Sequence, residues 1–191
     1  EQFKKFKVLC AGSTHNTEEI LITKLHIELK KYLPNLLTVI IPRHIDRSEN
    51  IINDLNKFKL NVVKHSKKQK ISKKTDIYLV DTFGETKNFY NLSNIAFLGG
   101  SIVNHGGQNP LEAARLGNYI INGPNITNFR EIYDFLKINK ISYTTSKILK
   151  MRDIVLSKIN KKLSLSKRKK IFENGNKILD NNLRIIEKYI Q

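Results

Sequence analysis

Short apolar runs alternate along this chain with segments in which apolar side chains recur at helical spacing. The runs are rich in Ile, Leu and Val, which is typical of strands buried on both faces of a sheet. We predict strands at residues 7–11, 36–41, 60–63, 76–81, 95–98, 119–121 and 142–145. We predict helices at residues 17–31, 47–57, 84–92, 109–116, 128–138, 147–163 and 166–190. This alternation predicts a Rossmann-like, doubly wound α/β domain with a parallel sheet.

Local signals set some boundaries and the number of domains. Asp46, with Glu49 three residues later, predicts a capping box for the helix at residues 47–57. Gly117 is the predicted stop of the helix at residues 109–116. The sequence has no internal repeat and no low-complexity linker, so we expect one domain over residues 1–191, ending in helices from about residue 147 to 190.

Composition excludes several classes of protein. Of the 191 residues 40% are hydrophobic, which suits a globular domain, and no apolar run approaches the roughly 18 residues of a membrane span. The single cysteine, Cys10, excludes a disulfide framework and is expected to be a buried apolar residue. The chain does not begin with Met, and we expect residue 1 to lie inside a longer natural chain.

The net charge of +17 has two explanations that both stay open. A strongly basic surface suits an anionic partner, such as a nucleic acid, a phospholipid surface or a phosphorylated substrate. The abundance of Lys, Asn and Ile together also fits AT-rich codon usage. Nucleic-acid binding has little further support, because the basic residues are not interleaved with aromatic ones.

Polar and glycine-rich residues follow nearly every predicted strand. In a parallel sheet these positions meet at the carboxyl edge, where doubly wound folds bind their ligands. They are Gly12 to His15, Pro42 to His44, Asp81 to Glu85, Gly99 to Gln108, and Asn122 to Pro124. Their convergence predicts a binding site at this edge.

The chemistry of these residues suits a nucleotide. Glycine loops that run into helix starts favour phosphate, and Arg43 could add a forked donor. Glu112, in the first turn of its helix, could accept hydrogen bonds from two ribose hydroxyls. Each feature also has a structural interpretation. The glycine loop could be a simple turn before a helix, and Ser13 or Thr14 could be an N-cap. Arg43 could form a surface ion pair, and Glu112 could complement the helix dipole.

Other kinds of site lack their sequence signals. Three histidines lie in the loops at this edge, but no HxxxH, HExxH or CxxC spacing accompanies them, so we expect no metal site. Neither GxGxxG nor GxxxxGK[ST] is present, which disfavours NAD enzymes and kinases. Asp81 ends a strand, and a catalytic role stays open for it, but we expect a structural hydrogen bond to the turn that follows it.

Five motifs, in order, resemble those of a known family. They are AGSTHNTEE, IIPRH, LVDTFGE, NIAFLGGSIV and GGQNPLEAARLG. Together they are similar to the carboxyl half of the lipopolysaccharide Kdo (3-deoxy-D-manno-octulosonic acid) transferases. The resemblance is strong over residues 7–135 and loose in the final helices. It implies one half of a glycosyltransferase B (GT-B) fold, the half that binds the donor.

The resemblance also implies a substrate and a site. The donor would be CMP-Kdo and the acceptor a lipid A precursor, with inversion at the anomeric carbon and with neither metal nor cofactor. The full enzyme would act at the cytoplasmic face of the bacterial inner membrane, where the basic surface would meet anionic lipid. The residues implied to contact the donor are Pro42, Arg43, Phe83, Gly84, Glu85, Asn109, Pro110, Leu111 and Glu112, with Ser13 and Thr14 in a loop facing the cleft.

Each motif is expected to recognise a different part of the donor. Backbone around Phe83 to Glu85 would recognise cytosine, and Glu112 would hold the ribose. Arg43 and the N–H groups near Asn109 would hold the phosphate. The glycine loop before Asn109 is expected to let backbone approach the nucleotide.

The sequence departs from the family pattern at three positions. His is frequent where Gln108 stands, Pro where Ala113 stands, and Met where Phe83 stands. We expect these changes to affect fine details of loop geometry. In this family the amino-terminal half of the enzyme carries the acceptor groove and the general base. That half is not among these residues, so we expect no catalytic residue here. We expect the chain to bind donor nucleotide without transferring the sugar.

Two other functions remain as alternatives. One is a different GT-B glycosyltransferase or an epimerase that uses a UDP-sugar, which would show a preference for uridine nucleotides. The other is a basic nucleic-acid-binding module, which would bind DNA or RNA with steep salt dependence.

Overall fold

A single parallel sheet organises the computed structural model, which describes residues 2–175. Its strands are β1 (Lys7–Thr14), β2 (Leu36–Pro42), β3 (Val62–Lys64), β4 (Ile77–Leu79), β5 (Ile95–Leu98), β6 (Tyr119–Asn122) and β7 (Ser142–Thr144). Their spatial order is β3-β4-β2-β1-β5-β6-β7, and every neighbouring pair is parallel. The predicted doubly wound α/β fold is confirmed.

The helices connect these strands and cover the sheet. They are α1 (Glu18–Lys30), α2 (Ser48–Asn56), α3 (Thr86–Leu92), α4 (Leu111–Arg115), α5 (Arg130–Ile138) and α6 (Ile148–Lys158). The chain moves from β1 to β2 in one direction and from β5 to β6 in the other. Right-handed crossovers therefore put α1 and α4 on opposite faces of the sheet.

The core explains why these segments adopt their structures. All seven residues of β2 are buried, as expected for a central strand covered on both faces. On α1, Ile22, Leu25 and Leu29 recur at helical spacing and are fully buried. Cys10 is also fully buried in β1, and burial raises the pKa of its thiol. Its predicted role as a small core residue is confirmed.

The first strand is longer than the predicted 7–11. β1 continues to Thr14, which pairs with Pro42, and the register shifts between Gly12 and Thr14. Ser13, at the shift, has a φ of 53°. The bulge lets Gly12, Ser13 and Thr14 remain in the strand, although their polar and glycine-rich composition is typical of a turn.

The capping box predicted from Asp46 and Glu49 does not form. Residues Ile45–Arg47 make a 3-10 turn, and α2 begins at Ser48 without a side-chain cap. The carboxylate of Glu49 instead accepts a hydrogen bond from Lys64 Nζ at 2.7 Å. A partner distant in sequence has replaced the local one.

The helix predicted at residues 147–163 is also shorter in the structure. It ends at Lys158, and a further helical segment occupies residues 165–175, which we call α7. The predicted helix at 166–190 is therefore seen in its first part. Its remainder, 176–190, lies outside the described residues.

Tertiary contacts explain the break between α6 and α7. Ile159 and Leu163 are buried at 3% and 4% exposure. The Asn94 side chain donates to the Ile159 carbonyl at 2.8 Å, and the Leu163 N–H donates to the Gly117 carbonyl at 2.9 Å. These contacts hold the connection against the sheet and outweigh its helical periodicity.

A charged network ties the amino edge of the sheet together. The Asp76 carboxylate lies 3.2 Å from Lys30 Nζ and 3.5 Å from the Nε2 of the fully buried His26, and accepts the Asn61 N–H at 3.1 Å. His26 Nδ1 lies 2.9 Å from the Thr38 hydroxyl. Burial alone would raise the pKa of Asp76, but its hydrogen bonds to these groups hold that pKa well below its usual range. We call His26, Lys30 and Asp76 the Asp76 network.

No helix within residues 2–175 is long and apolar enough to cross a membrane.

Candidate functional site

The strand order places a switch point between β1 and β5. The chain runs outward from β1 through β2 on one side and from β5 through β6 on the other. Loops at such a point diverge and leave a crevice at the carboxyl edge, which is where doubly wound folds bind ligands. The polar loops predicted from the sequence surround this crevice.

A cavity of about 700 Å³ opens at this position. Its size lies within the range of about 300–1,000 Å³ typical of small-molecule sites. We call it the β1/β5 cleft. Its lining residues come from β1, α3, the loop before α4, α4 and α7: Ser13, Thr86, Lys87, Tyr90, Gln108, Asn109, Leu111, Glu112, Arg115, Leu116, Arg168 and Phe172.

Four of the predicted site residues line the cleft: Ser13, Asn109, Leu111 and Glu112. The Glu112 side chain makes no hydrogen bond or ion pair to any other residue within 2–175, although Arg115 lies one turn later on α4. An exposed carboxylate without a protein partner can accept hydrogen bonds from ligand hydroxyls. This is the property that a ribose contact requires.

The start of α4 offers fewer free N–H groups than a longer helix would, which bears on the expectation that they hold phosphate. The helix has only five residues, and the Leu111 N–H already donates to Asn109 Oδ1 at 2.9 Å. Pro110 is buried and has no N–H to offer. Asn109 therefore occupies one of the donors at the helix start, the Leu111 N–H.

The predicted residues Phe83, Gly84 and Glu85 do not line the cleft, but directly precede Thr86 and Lys87, which do. Phe83 is 76% exposed, and Gly84 has a φ of +82°, a conformation that favours glycine. This turn presents an uncovered aromatic side chain and exposed backbone beside the cleft.

Pro42 and Arg43 also lie outside the lining of the cleft. Pro42 is buried at the end of β2, and the Arg43 N–H donates to the Thr14 carbonyl at 2.9 Å. The Arg43 side chain is exposed and close enough to His15 for its charge to disfavour the protonated imidazole. The Arg43 side chain therefore lies near the histidine cluster described below, outside the cleft.

Thr14 does not face the cleft, unlike its neighbour Ser13. It is fully buried, and its hydroxyl donates to Glu19 Oε1 at 2.9 Å. The same carboxylate takes two hydrogen bonds from the Arg47 guanidinium, at 3.1 and 3.2 Å. Adjacent residues at the bulge thus have different surroundings, the cavity for Ser13 and the core for Thr14.

Glu18 organises the glycine loop, and the sequence analysis assigned it no role. Its fully buried carboxylate accepts the N–H groups of Gly100, Ser101 and Ile102 at 2.8, 3.1 and 2.9 Å. It also accepts the His15 N–H at 2.9 Å. The signal that could have found it is a pair of adjacent carboxylates in the first turn of a helix that begins at the binding edge.

The glycines of this loop serve its packing rather than the lining of the cleft. A Cβ at Gly99 would lie 2.1 Å from the Ser13 carbonyl oxygen, so only glycine lets β5 leave the sheet this close to β1. Of residues 99–108, the cleft is lined by Gln108, whose carbonyl accepts the Tyr133 hydroxyl at 2.9 Å. The bare loop thus brings Gln108 and Asn109 to the cleft.

A cluster of three histidines lies beside Gln108. The ring centroids of His15 and His105 are 4.2 Å apart, and those of His15 and His44 are 6.0 Å apart. His15 Nε2 lies 3.3 Å from Gln108 Nε2. Burial, reinforced by repulsion from the neighbouring histidines and arginines, lowers the pKa of His15 to about 4. His15 is therefore neutral at pH 7 and can accept a hydrogen bond from Gln108.

Within residues 2–175, no group of three His, Cys, Asp or Glu side chains has an arrangement that could hold a metal ion.

Asp81 has a structural role, as predicted, but toward the turn after β3. Its carboxylate accepts the N–H and the hydroxyl of Ser66 at 2.8 and 2.6 Å.

The lining of the cleft includes cationic and aromatic residues that the sequence analysis did not single out: Lys87, Tyr90, Arg115, Arg168 and Phe172. Tyr90 is 4% exposed, and burial raises the pKa of its phenol. The residues of α7 are far from the motifs in sequence, so spacing alone carried no signal for them.

Comparison with known proteins points to one family. A 3-deoxy-D-manno-octulosonic acid transferase of Haemophilus influenzae is 40% identical over 126 residues, covering 66% of this chain and 30% of that protein. One from Rickettsia bellii is 30% identical over 194 residues, covering 100% of this chain and 45% of that protein. The crystal structure of the C-terminal CMP-Kdo binding domain of WaaA from Acinetobacter baumannii superposes with a TM-score of 0.76 at 28% identity, covering 81% of each chain. The chain resembles the carboxyl-terminal domain of the Kdo transferases.

The curated relatives are longer than this chain. The chain spans between 30% and 45% of the length of these two curated Kdo transferases. No family model matches the chain. The expected resemblance and the GT-B half-fold are confirmed at the level of this domain.

Proposed function

We propose that this chain is the donor-binding domain of a Kdo transferase and that its β1/β5 cleft binds CMP-Kdo. The observation that carries the proposal is the cleft itself. Ser13 and three residues of the NPLE motif meet there at the switch point of the sheet. The similarity to a CMP-Kdo binding domain supports a cytidine nucleotide as the ligand.

In this proposal the donor's nucleotide occupies the cleft. The Glu112 carboxylate accepts hydrogen bonds from the ribose hydroxyls, and exposed backbone at Phe83 to Glu85 contacts the cytosine. Negative charge grows on the CMP phosphate as the sugar departs. Fixed positive charges near that phosphate therefore favour the transition state over the bound donor.

We further propose that the whole protein transfers Kdo to a lipid A precursor, with inversion and without metal or cofactor. The acceptor groove and the general base would lie in an amino-terminal domain, so we expect no transfer by the 191 residues alone. Detectable transfer by this chain would contradict that division. The full enzyme would act at the cytoplasmic face of the inner membrane, where the charge of +17 favours contact with anionic lipid.

The first test is nucleotide preference. Isothermal titration calorimetry of the chain with CMP, UMP and AMP should show the tightest binding for CMP. Glu112→Ala should weaken CMP about tenfold, because a charged acceptor of ligand hydrogen bonds is lost. The midpoint of thermal unfolding should not change, since Glu112 is exposed and has no protein partner within residues 2–175.

Glu131→Ala is the matched control. Glu131 is likewise an exposed carboxylate in the first turn of a helix, α5, but does not line the cleft. Its replacement should leave the affinity for CMP within about twofold. Equal or tighter binding of UMP would overturn the proposal in favour of a UDP-sugar enzyme. An equal loss in both variants would show that Glu112 acts only through overall charge.

A further inference from the structure

Two arginines from distant parts of the chain form one wall of the β1/β5 cleft. Arg115 lies at the end of α4 and Arg168 lies on α7. Arg168 Nε donates to the Arg115 carbonyl at 3.1 Å, and the Arg115 guanidinium carbon lies 5.6 Å from the centroid of the Phe172 ring. These contacts hold α7 against α4 with both guanidinium groups beside the cavity.

The charges of this wall have no protein counter-charge within residues 2–175. No carboxylate of that part of the chain lies within 4.0 Å of the side-chain nitrogens of Arg115, Arg168 or Lys87, which also lines the cleft. Elsewhere Arg47 pairs with Glu19 at 3.1 Å. An anion in the cleft would therefore meet cations that no ion pair has neutralised.

Glu112 and the arginines divide the cleft into two chemical regions. Glu112 precedes Arg115 by three residues on α4, yet the two side chains do not pair within 4.0 Å. A carboxylate repels phosphate and accepts from hydroxyl groups, whereas guanidinium groups donate to phosphate in a forked geometry. A nucleotide has one group for each region.

We propose that Arg115 and Arg168 bind the phosphate of the nucleotide in the β1/β5 cleft and that α7 is thereby part of the binding site. The inference rests on the proposed function and assigns the phosphate to two residues that the resemblance did not: Arg115, within the last motif, and Arg168, outside all five. Arg43 does not line this cleft, and the Leu111 N–H is already occupied by Asn109. Of the guanidinium groups in this region, those of Arg115 and Arg168 line the cavity, and one N–H group expected to hold the phosphate is already occupied.

The test compares ligands with and without a phosphate. Calorimetric titrations with CMP and with cytidine would use the unaltered chain, Arg115→Ala and Arg168→Ala at one fixed salt concentration. Each variant should bind CMP about tenfold more weakly, because charge-assisted hydrogen bonds to phosphate are lost. Cytidine should bind all three proteins equally. Arg168→Lys, which keeps the charge without the fork, should fall between the unaltered chain and Arg168→Ala.

Lys169→Ala is the matched control, since it removes the same charge from the same helix. Lys169 is exposed, does not line the cleft and lies 3.6 Å from Glu173. It should change CMP binding less than twofold. Unchanged CMP binding in the arginine variants, an equal loss in Lys169→Ala, or an equal loss of cytidine binding would each overturn the inference.

The same experiment separates this inference from the proposed function. If the chain prefers UMP to CMP, the proposed function fails, and UMP with uridine tests the arginines in the same way. If CMP is preferred but the arginine variants bind normally, only the inference fails. Absence of binding by every nucleotide overturns both.

Discussion

The Asp76 network and the β1/β5 cleft lie at opposite edges of the same sheet and differ in how their charges are satisfied. In the network, Lys30, His26 and backbone surround one carboxylate. In the cleft, the side chains of Glu112, Arg115 and Lys87 make no ion pair or hydrogen bond to other residues within 2–175. Partnered charges stabilise the fold, whereas unpartnered charges of both signs around one cavity are available to a ligand.

Glu18 stands between these two cases. It lies at the carboxyl edge with the cleft, yet it is fully buried and accepts four backbone N–H groups. It should therefore affect stability as Asp76 does, and should affect binding only through the loop that it holds. Position at the functional edge is thus not sufficient to make a charge part of the ligand site.

The largest expected effect is on stability, at Asp76. Asp76→Asn should lower the free energy of unfolding by about 2 kcal/mol, because charge-assisted hydrogen bonds of a partly buried carboxylate are lost. Its folded-state pKa lies below the unfolded value of about 3.9, so its contribution is present at neutral pH and is lost as the pH falls below that value. Chemical denaturation at pH 7 measures the effect, and the affinity for CMP should not change.

Asp54→Asn is the control for this variant, since Asp54 pairs with Lys57 at the surface at 2.6 Å. Its free energy of unfolding should change by less than about 0.5 kcal/mol. A similar loss in both variants, or a loss of CMP affinity in Asp76→Asn, would break the comparison between the two edges.

Glu18→Gln should affect both properties. A glutamine would present an N–H₂ group to backbone donors, and we expect a loss of about 2 kcal/mol in the free energy of unfolding. CMP should also bind more weakly, because the loop that Glu18 holds carries Gln108 to the cleft. Calorimetry and denaturation of Glu18→Gln and of the exposed control Glu131→Gln measure the two effects. Loss of stability with unchanged affinity would place Glu18 with the Asp76 network alone.

The smallest expected effect is a pH dependence at His15. In the folded protein the pKa of His15 is lowered to about 4, whereas a histidine in the unfolded chain has a pKa of about 6.5. As the pH falls through this window the unfolded chain takes up a proton that the folded chain does not, so stability falls. His15→Gln should reduce this fall by less than about 1 kcal/mol, since the ring is partly exposed to screening solvent. Identical pH profiles of unfolding would show that the cluster does not perturb His15.

Strand content and the binding edge could be predicted because each rests on local signals. The apolar run of residues 36–41 is buried throughout β2, and residues 95–98 form β5 as predicted. Ser13 lies in the cleft because it is next to the end of β1, and the glycine loop after β5 carries the NPLE motif there. What lies within a few residues of a strand end is placed by the parallel sheet itself.

The features that escaped prediction depend on contacts distant in sequence. The helix predicted at 147–163 stops at Lys158 because Asn94 and Gly117 bind the segment that follows. Arg168 reaches the cleft through a hydrogen bond to Arg115, across 53 residues. No periodicity or spacing encodes such contacts.

The central claim is that the β1/β5 cleft binds a cytidine nucleotide, and an NMR titration tests it most directly. Addition of CMP should shift the backbone amide signals of Thr86, Lys87, Glu112 and Arg115, with smaller shifts for UMP and AMP. Amides around Asp76 should not move. Shifts centred elsewhere, an equal response to all three nucleotides, or no response from the folded chain would contradict the account.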